Sequence, residues 1–488
     1  MRWVVATWAS EIVGEIELGD ERLNQRLVAL VETFAERPAA SIPEASETWA
    51  ATQAAYRFFS NEAVEPEQII LAMAEATAKR CQGLPLVLAV QDTTRLDYTT
   101  HTDTEGLGPL EHPKHRGLFV HTALAVAPQS GVPLGVVSQQ VWARDPDTVG
   151  KSQKRKELPV EAKESARWLV GLKQTEERLG SSVRVLTVAD READVYELFA
   201  LAHQLKGDWL IRARHDRSLQ GDERHLLAAV EQAAVCARTT VELPRTDERE
   251  ARQANLEVRR AEVVLRPPQR LSGAIGQWWA QHPQVEHLAP KKLRPVRVGV
   301  VLVQEVDPPV GVKPVRWLLL TSLPVETPEQ ALACVEHYRL RWLVERYHFV
   351  LKSGCLVEKL QLETAERLRR ALAVYSEVAW RWLWLTYEAR AHPEAPCTTV
   401  LDELTWRVLC VADCPKAVVP VTPPNLRTAI RMIAMLGGFL GRKADGEPGV
   451  KTLWRGLRRL NDIVAAYRVL KEHPDLLPDK LASQLSCV

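Results

Sequence analysis

The spacing of apolar residues divides the chain into parts with different periods. Over residues 1–75 the apolar positions recur at helical spacing, as in Leu23, Leu27, Leu30 and Val31 and in the stretch from Ala50 to Phe59, which predicts a helical module. Three arginines lie on other faces of these helices: Arg22, Arg26 and Arg57. Such arginines belong either to a solvated face or to a nucleic-acid contact, and the pattern alone leaves both open.

From Leu84 onward the pattern changes to short, continuous apolar runs, which are typical of buried strands. The predicted strands are Leu86 to Val90, Leu118 to Val126, Val132 to Trp142, Val183 to Val188 and Trp209 to Ile211, and the predicted helices are Glu161 to Leu179 and Glu192 to Leu205. Strands come first and then alternate with helices. This order predicts an α/β fold with a mixed β-sheet flanked by helices.

Residues 215–296 interrupt this pattern with short Val-rich runs between alternating Arg and Glu, which predicts a β-rich insertion. Strands return at Val298 to Val303 and at Arg316 to Leu320. Further on, Ala365 to Arg390 is predicted to form one long, Trp-rich helix. Two more helices are expected near the C-terminal end, separated by the Gly-rich, basic turn from Gly437 to Lys443.

The composition narrows the class of protein. Lys and Arg number 63 and Asp and Glu number 62, so the net charge of +1 excludes a histone-like protein. No apolar run reaches the roughly 18 residues of a membrane span and no signal-peptide core follows the first residues, so we expect a cytoplasmic protein with no membrane partner. The 8 cysteines lack the spacing of a disulfide framework or a zinc site. The 15 tryptophans fit either core packing or stacking on bases.

The helix predicted from Pro328 through Lys352 has one polar face. At about 100° per residue, Tyr338, Arg341, Glu345 and Lys352 fall on one side and apolar residues on the other. A carboxylate therefore lies between two cations and a phenol. An ordinary solvated face, stabilised by pairing of Arg341 with Glu345, explains the same pattern.

Two aspartates are predicted to follow apolar strands. Asp92 is expected directly after the first strand, and Asp190 directly after the strand that begins at Val183. Carboxylates at the strand ends of an α/β sheet lie where ligands bind. Brought together with Glu345, they would repel one another unless cations lay between them, and two Mg²⁺ ions about 3.5 to 4 Å apart would also serve in-line phosphoryl transfer. Oxygen ligands favour Mg²⁺, with Mn²⁺ as a substitute, over zinc.

These residues resemble a known family. The spacing Tyr338-x2-Arg341-x3-Glu345-x6-Lys352 resembles the Tyr-Arg-Glu-Lys signature of bacterial DDE transposases of the insertion sequence four family, and the segments 91–94 and 189–194 resemble its other two acidic motifs. The resemblance covers nearly the whole chain. It implies an RNase H-like catalytic core over residues 76–214 and 297–362, the β-rich insertion at 215–296, a helical DNA-binding domain at 1–75, and a helical dimerisation and DNA-contact region at 363–488.

The resemblance also implies the activity of a cut-and-paste transposase, which nicks DNA, forms and resolves a hairpin at the transposon end and joins the 3′-OH to target DNA. The implied partners are double-stranded DNA and a second copy of the chain, as a homodimer on two DNA ends. The implied catalytic and metal-binding residues are Asp92, Asp190 and Glu345, which would hold two Mg²⁺ ions; the implied DNA contacts are Tyr338, Arg341, Lys352, Trp317, Arg22, Arg26 and Arg57. Trp317 and Leu186 match family positions that stack on a flipped base or enter the vacated stack, although strand residues of these types also fit core packing.

Three other functions stay open at this point. A catalytically silent DNA-binding relative would keep the fold, although all three carboxylates are present. A resolvase-like nuclease would share the fold, although the spacing from Tyr338 to Lys352 favours a transposase. A metal hydrolase would need a ligand set from the histidines at positions 101, 112, 115 and 121, and no Glu stands at zincin spacing from them.

Overall fold

The structure is a computed structural model of the 488-residue chain. It describes residues 8–112, 114–146, 164–222, 224–243, 251–268, 293–414, 418–442 and 445–476. Among these residues, no helix combines the length and the apolar character that crossing a lipid bilayer requires.

The N-terminal part is helical, as its apolar spacing predicts. Its helices are α1 (Trp8–Val13), α2 (Glu21–Glu36), α3 (Ile42–Ser46), α4 (Trp49–Ser60) and α5 (Pro66–Cys81). Helix α2 begins where the Asp20 side chain accepts a hydrogen bond from the backbone N–H of Arg22, and it buries Leu27, Leu30 and Val31. Helix α5 runs across the domain boundary predicted at residue 75, which stays a prediction.

One mixed sheet forms the centre of the molecule and confirms the predicted fold class. Its strands are β1 (Val87–Asp97), β2 (Gly108–Pro109), β3 (Arg116–Val126), β4 (Pro133–Trp142), β5 (Val185–Ala189), β6 (Asp208–Arg212), β7 (Val235–Leu243), β8 (Arg252–Leu265), β9 (Val296–Glu305) and β10 (Arg316–Thr321). The order across the sheet is β2-β3-β1-β5-β6-β10-β9-β8-β7, with β4 paired to β3. Strands β1, β5 and β6 are parallel, and the other pairs are antiparallel.

The predicted insertion contributes strands to this same sheet. Strand β8 pairs with β9 from Leu256 to Leu265, and β7 pairs with the other edge of β8. The described part of the insertion is therefore β-rich, as expected, and continuous with the central sheet. Residues 244–250 and 269–292 of the insertion lie outside the described residues.

Within the described residues, five helices of the middle part flank the sheet. They are α6 (Ala166–Leu179), α7 (Tyr196–Leu205), α8 (Leu226–Glu231), α9 (Pro328–Arg339) and α10 (Trp342–Phe349). The predicted start of α6 at Glu161 lies outside the described residues. The prediction that α7 begins at Glu192 is wrong, because Arg191–Ala193 forms a separate 3₁₀ turn capped by Asp190, and the helix begins only at Tyr196.

The prediction of one continuous helix from Pro328 through Lys352 is also wrong. Helix α9 begins with a capping box formed by Thr327 and Gln330, but a tight turn at Leu340 and Arg341, held by backbone bonds of the i to i+3 type, separates it from α10. Helix α9 packs on β5, β7, β8 and β9, whereas α10 packs on β1 and β3. After α10 the chain forms a π-helical turn over Val350–Gly354, which contains Lys352.

The C-terminal part contains the predicted long helix, α11 (Ala365–Ala391). It lies in the core against α2, α5 and β4, and it buries Trp380 and Trp382. These tryptophans pack in the core and are not free to contact DNA. The prediction of two further helices is wrong: the described residues contain three, α12 (Glu403–Asp413), α13 (Leu426–Leu436) and α14 (Val450–Glu472). The Gly437 turn separates the last two, as predicted.

Candidate active site

The first two carboxylates lie side by side because of the register of two parallel strands. The pairing of β1 with β5 ends at Gln91 and Ala189. The next residues, Asp92 on β1 and Asp190 just after β5, therefore lie at the same level of the sheet. The prediction that Asp92 follows the end of its strand is wrong. Strand β1 continues to Asp97 because β3 pairs with it along this whole stretch, with Thr122 opposite Asp92. Strand β5, the parallel partner of β1, ends just before this level, at Ala189.

The two aspartates of the segment 190–194 have different environments. Asp194 is buried and accepts hydrogen bonds from the backbone N–H groups of Arg214 (2.7 Å) and His215 (2.9 Å) and from Nε of Arg217 (3.0 Å). All of its acceptor capacity serves to hold the loop after β6. Asp190 is half-buried and accepts one bond, from the backbone N–H of Glu192 (2.8 Å). Asp190 is therefore the carboxylate that has oxygen lone pairs left for a ligand.

The third carboxylate, Glu345, forms an ion pair with Arg341 across one turn of α10. The Arg341 side chain is 18% exposed and the Glu345 side chain 51%. Burial works against the charge of Arg341, but the nearby Tyr338, Glu345 and Asp92 together raise its pKa above the ordinary value. Arg341 thus lies between the carboxylates of β1 and α10 and balances their charge in the absence of other cations.

Tyr338 and Trp317 adjoin this group. Tyr338 is 5% exposed, and burial raises the pKa of its phenol, opposed by Arg341 and Arg212 and supported by Asp190. The half-buried ring of Trp317, on β10, meets the Tyr338 ring edge-on, with the centroids 5.3 Å apart. The structure therefore brings Trp317 to the predicted site.

Lys352 contacts the strand that carries Asp92. Its Nζ donates a hydrogen bond to the backbone carbonyl of Arg95 (2.9 Å) and lies 3.2 Å from Oε1 of Glu358. The π-helical turn thus points Lys352 toward the exposed half of β1. Leu186, by contrast, is fully buried within β5 and belongs to the core.

The N-terminal arginines do not join this group in the described residues. Arg22 is exposed and pairs with Asp20 at 2.8 Å. Arg57 on α4 is exposed, and Arg26 on α2 is half-buried. No hydrogen bond or ion pair between described residues connects any of the three to the carboxylates.

Three segments of the chain match known protein families. Residues 5–64 match the family described as Transposase DNA-binding, residues 111–375 match Transposase DDE domain, and residues 377–475 match Transposase Tn5 dimerisation domain. The DDE match alone spans more than half of the chain. The chain belongs to the DDE transposases. The three matches in this order are those of the Tn5-like insertion sequence four family, which confirms the resemblance.

The transposase therefore has an RNase H-like core and is an enzyme that cleaves DNA and transfers strands. It carries domains for DNA binding and for homodimer formation. The DDE match includes Asp190 and Glu345 but begins after Asp92. The placement of Asp92 in the site thus rests on the strand register and on its proximity to Arg341.

DDE transposase domains act with divalent metal ions. The donor set fits this requirement in chemistry, since Asp92, Asp190 and Glu345 offer only carboxylate oxygens. In geometry it is incomplete: within the described parts of the chain, no group of three His, Cys, Asp or Glu side chains is arranged to hold a metal ion. Glu345 is turned to Arg341, so a shared site with the two aspartates requires this ion pair to open.

Three polar residues of the transposase near the carboxylates were missed in the sequence. Arg167 at the start of α6 donates to Oγ1 of Thr93 (2.8 Å) and to Glu192 (2.6 Å), and burial lowers its pKa although Glu192, Glu164 and Asp190 oppose this. Arg212, the last residue of β6, lies beside Tyr338. His348 lies with Nδ1 3.7 Å from Oδ2 of Asp92. Only His348 left a signal in the sequence, because it lies one helical turn after Glu345.

The histidines of the rival hydrolase do not form a site among the described residues. His121 is buried in β3 and hydrogen-bonds to Thr93 and Gln91, and burial lowers its pKa well below the usual value. The rings of His112 and His115 contact each other at a tilt of 47°, with the centroids 5.2 Å apart. His101 packs edge-on against the ring of Tyr98.

Proposed function

We propose that the protein is a cut-and-paste transposase that binds transposon ends, nicks them, forms and resolves a hairpin, and joins the 3′-OH to target DNA. The observation that carries the proposal is the β1–β5 register, which sets Asp92 beside Asp190, with Arg341 paired to Glu345 and close enough to Asp92 to feel its charge. Two adjacent carboxylates, with a third held by a nearby arginine, support phosphoryl transfer.

In this proposal Asp92, Asp190 and Glu345 hold two Mg²⁺ ions. When bound, the ions activate the attacking water or 3′-OH and stabilise the leaving oxygen. The third carboxylate, Glu345, reaches the ions only when side chains of the protein move. Glu345 leaves Arg341, and Arg341 turns its guanidinium to a DNA phosphate, for which its fork of donors is suited.

The phosphates near the transposon end would be held by the cations around the carboxylates. Arg341 and Lys352 come from the Glu345 side of the site and Arg212 from the end of β6, while Tyr338 adds a hydroxyl. Contacts to phosphates position DNA without reading its sequence. We therefore assign recognition of the end to other parts of the segment that matches a DNA-binding domain, in which Arg22, Arg26 and Arg57 contact the DNA backbone.

Trp317 has the position required to assist hairpin formation. Its indole contacts Tyr338 on one side and is partly exposed, so an extruded base could stack on it beside the phosphate-binding residues. The same contact also makes Trp317 part of the support of Tyr338. The two roles predict different effects of the substitution Trp317→Ala on the rates of the reaction steps.

We further propose that catalysis requires two copies of the chain on two DNA ends. The match to a dimerisation domain over residues 377–475 supports this, as does the excess of Lys and Arg over acids between residues 437 and 471. Cleavage rate should rise with protein concentration until two ends are bound together. Full cleavage of a single end by the monomer would contradict this proposal.

The function is tested by incubating the full chain with a library of DNA ends and Mg²⁺, followed by sequencing of bound and cut products. We expect one family of end sequences to be enriched among both. Asp92→Asn should still bind the same ends but leave them uncut. Ends that are bound but never cut by the wild-type chain would instead identify a catalytically silent DNA-binding relative.

A further inference from the structure

His348 is a buried residue whose surroundings are unusual. It is 4% exposed and lies on α10, on the side that faces β1 and β3. One ring nitrogen, Nε2, lies 3.2 Å from Oγ1 of Thr122. The other, Nδ1, is buried and has no hydrogen-bond partner among the described residues, and it lies 3.7 Å from Oδ2 of Asp92. Burial of a ring nitrogen without a hydrogen-bond partner lowers the stability of the fold, so the position of Nδ1 beside Asp92 requires an explanation.

The hydrogen bonds behind His348 indicate which nitrogen carries the proton. Gln139 donates through Nε2 to Tyr347 Oη (3.1 Å) and to Thr122 Oγ1 (3.3 Å), which uses both amide protons, and its Oε1 lies 2.8 Å from Ser376 Oγ. The Thr122 hydroxyl, having accepted this bond, still has its own proton to donate. Its other partner in the described residues is Nε2 of His348. With Nε2 as the acceptor, the ring proton lies on Nδ1 and faces Asp92.

The opposite tautomer fits less well. A proton on Nε2 would leave the Thr122 hydroxyl proton without an acceptor and would direct the Nδ1 lone pair at a carboxylate oxygen. Both effects are unfavourable in a buried site. The chain of contacts therefore runs from Ser376 on α11 through Gln139 on β4 and Thr122 on β3 to His348, and it ends at Asp92.

We propose that His348 is a positioning residue for Asp92: its Nδ1–H orients the carboxylate through Oδ2 and leaves Oδ1 for the metal. The distance of 3.7 Å exceeds a hydrogen bond, so the proposal requires the contact to shorten when Asp92 takes up an ion. The proposal rests on the proposed function, because it requires Asp92 to be a metal ligand. Partners that orient metal-binding carboxylates in this way tune the affinity of the site.

Three substitutions separate the two ring nitrogens. In His348→Asn the amide nitrogen can replace Nδ1, in His348→Gln it can replace Nε2, and His348→Ala removes both. The readout is Mn²⁺ binding to the full chain, followed by electron paramagnetic resonance, beside a thermal melt of each variant. His101→Ala is the matched control, because it removes a buried imidazole that packs on Tyr98 and does not face Asp92.

We expect His348→Ala and His348→Gln to raise the half-saturating Mn²⁺ concentration by roughly 10- to 100-fold, and His348→Asn to stay within about threefold of the wild type. His101→Ala should bind Mn²⁺ as the wild type does. If His348→Ala fails to fold, the difference between the Asn and Gln variants still decides. Wild-type affinity in His348→Ala, or equal affinities in the Asn and Gln variants, would overturn the positioning role.

A separate arm tests the ligand set on which the proposal rests. Asp92→Asn should weaken Mn²⁺ binding at least as much as His348→Ala. If Asp92→Asn binds Mn²⁺ normally, or if the wild-type chain binds none, the assignment of Asp92 as a ligand fails and the positioning role fails with it. Normal behaviour of the His348 variants beside a defective Asp92→Asn would remove the positioning role alone.

Discussion

The catalytic edge of the sheet and the N-terminal helices hold their charged residues in opposite ways. At the edge, Asp92, Asp190 and Glu345 come from distant parts of the sequence, and buried or half-buried partners hold them near one another. On α2 and α4, Arg22 and Arg57 are exposed. A reaction centre has to be built before the substrate arrives, whereas contacts to a DNA backbone are completed by the DNA itself.

Within the catalytic edge, the two aspartates of the segment 190–194 also differ in how they are held. Asp194 is fully engaged by the loop after β6, and Asp190 retains free oxygen lone pairs. Two aspartates of one short motif thus differ in their environments: Asp194 stabilises the fold, and Asp190 is the one that the proposed mechanism uses. Burial and hydrogen bonding distinguish them, whereas residue type does not.

The largest effect is expected at the three carboxylates. Asp92→Ala, Asp190→Ala and Glu345→Ala should each lower the rate of strand nicking and transfer at least about a thousandfold, because each removes a ligand from a site that stabilises the transition state by several kcal/mol. DNA binding should persist, since the N-terminal contacts are unchanged. Gel assays of nicking beside filter binding measure both. Near wild-type cutting by any one variant would remove that residue from the site.

The next effect separates Asp190 from Asp194. Asp194→Ala should lower the free energy of unfolding by about 3–5 kcal/mol, because it leaves Arg217 and two backbone N–H groups without their buried acceptor. Asp190→Asn keeps the turn cap and should lower it by less than about 1 kcal/mol. Denaturant unfolding of both variants provides the comparison. Equal destabilisation would mean that Asp190 is also a structural residue.

A smaller and more selective effect is expected at Trp317. If its indole stacks on a flipped base, Trp317→Ala removes about 1–3 kcal/mol from the hairpin step, which slows that step roughly tenfold to a hundredfold. First-strand nicking should hardly change. A time course of nicked, hairpin and released products, with a thermal melt, separates the roles. Equal slowing of both steps in a destabilised protein would assign Trp317 to the support of Tyr338.

The smallest effects are expected in the N-terminal helices. Arg22→Ala and Arg57→Ala should each weaken binding to all DNA ends by a similar factor and reduce the slope of log affinity against log salt by about 1. Nicking at saturating protein should be unchanged. Salt titrations of binding give the slope. A loss confined to one end sequence would show that the arginine reads bases instead of phosphates.

The sequence predicted the order of strands and helices, because this order depends on local patterns, whereas the roles of the site residues stay predictions. The apolar runs that became β1, β3 and β5 and the capping box before α9 are signals of this kind. The break at Leu340 was not predictable from the helical period, since it depends on α9 and α10 packing on different strands. Asp92 was misplaced for a similar reason: β3, far along the chain, extends β1 past the apolar run.

The residues that surround the carboxylates were the hardest to predict. Arg167 reaches Glu192 and Thr93 from a helix with no recognisable motif, and Arg212 approaches Tyr338 from a strand end. Their positions depend on how the helices pack on the sheet. A sequence pattern predicts which face of a helix is apolar, but it does not predict which strand that face packs on.

The central claim is that Asp92, Asp190 and Glu345 converge on metal ions once Glu345 leaves Arg341. The most direct measurement is anomalous scattering from Mn²⁺ in crystals of the protein bound to a DNA end. The account predicts two peaks about 3.5 to 4 Å apart, contacted by oxygens of all three carboxylates, with Arg341 on a phosphate. Peaks bound elsewhere, or a Glu345 that still pairs with Arg341 beside a filled site, would contradict it.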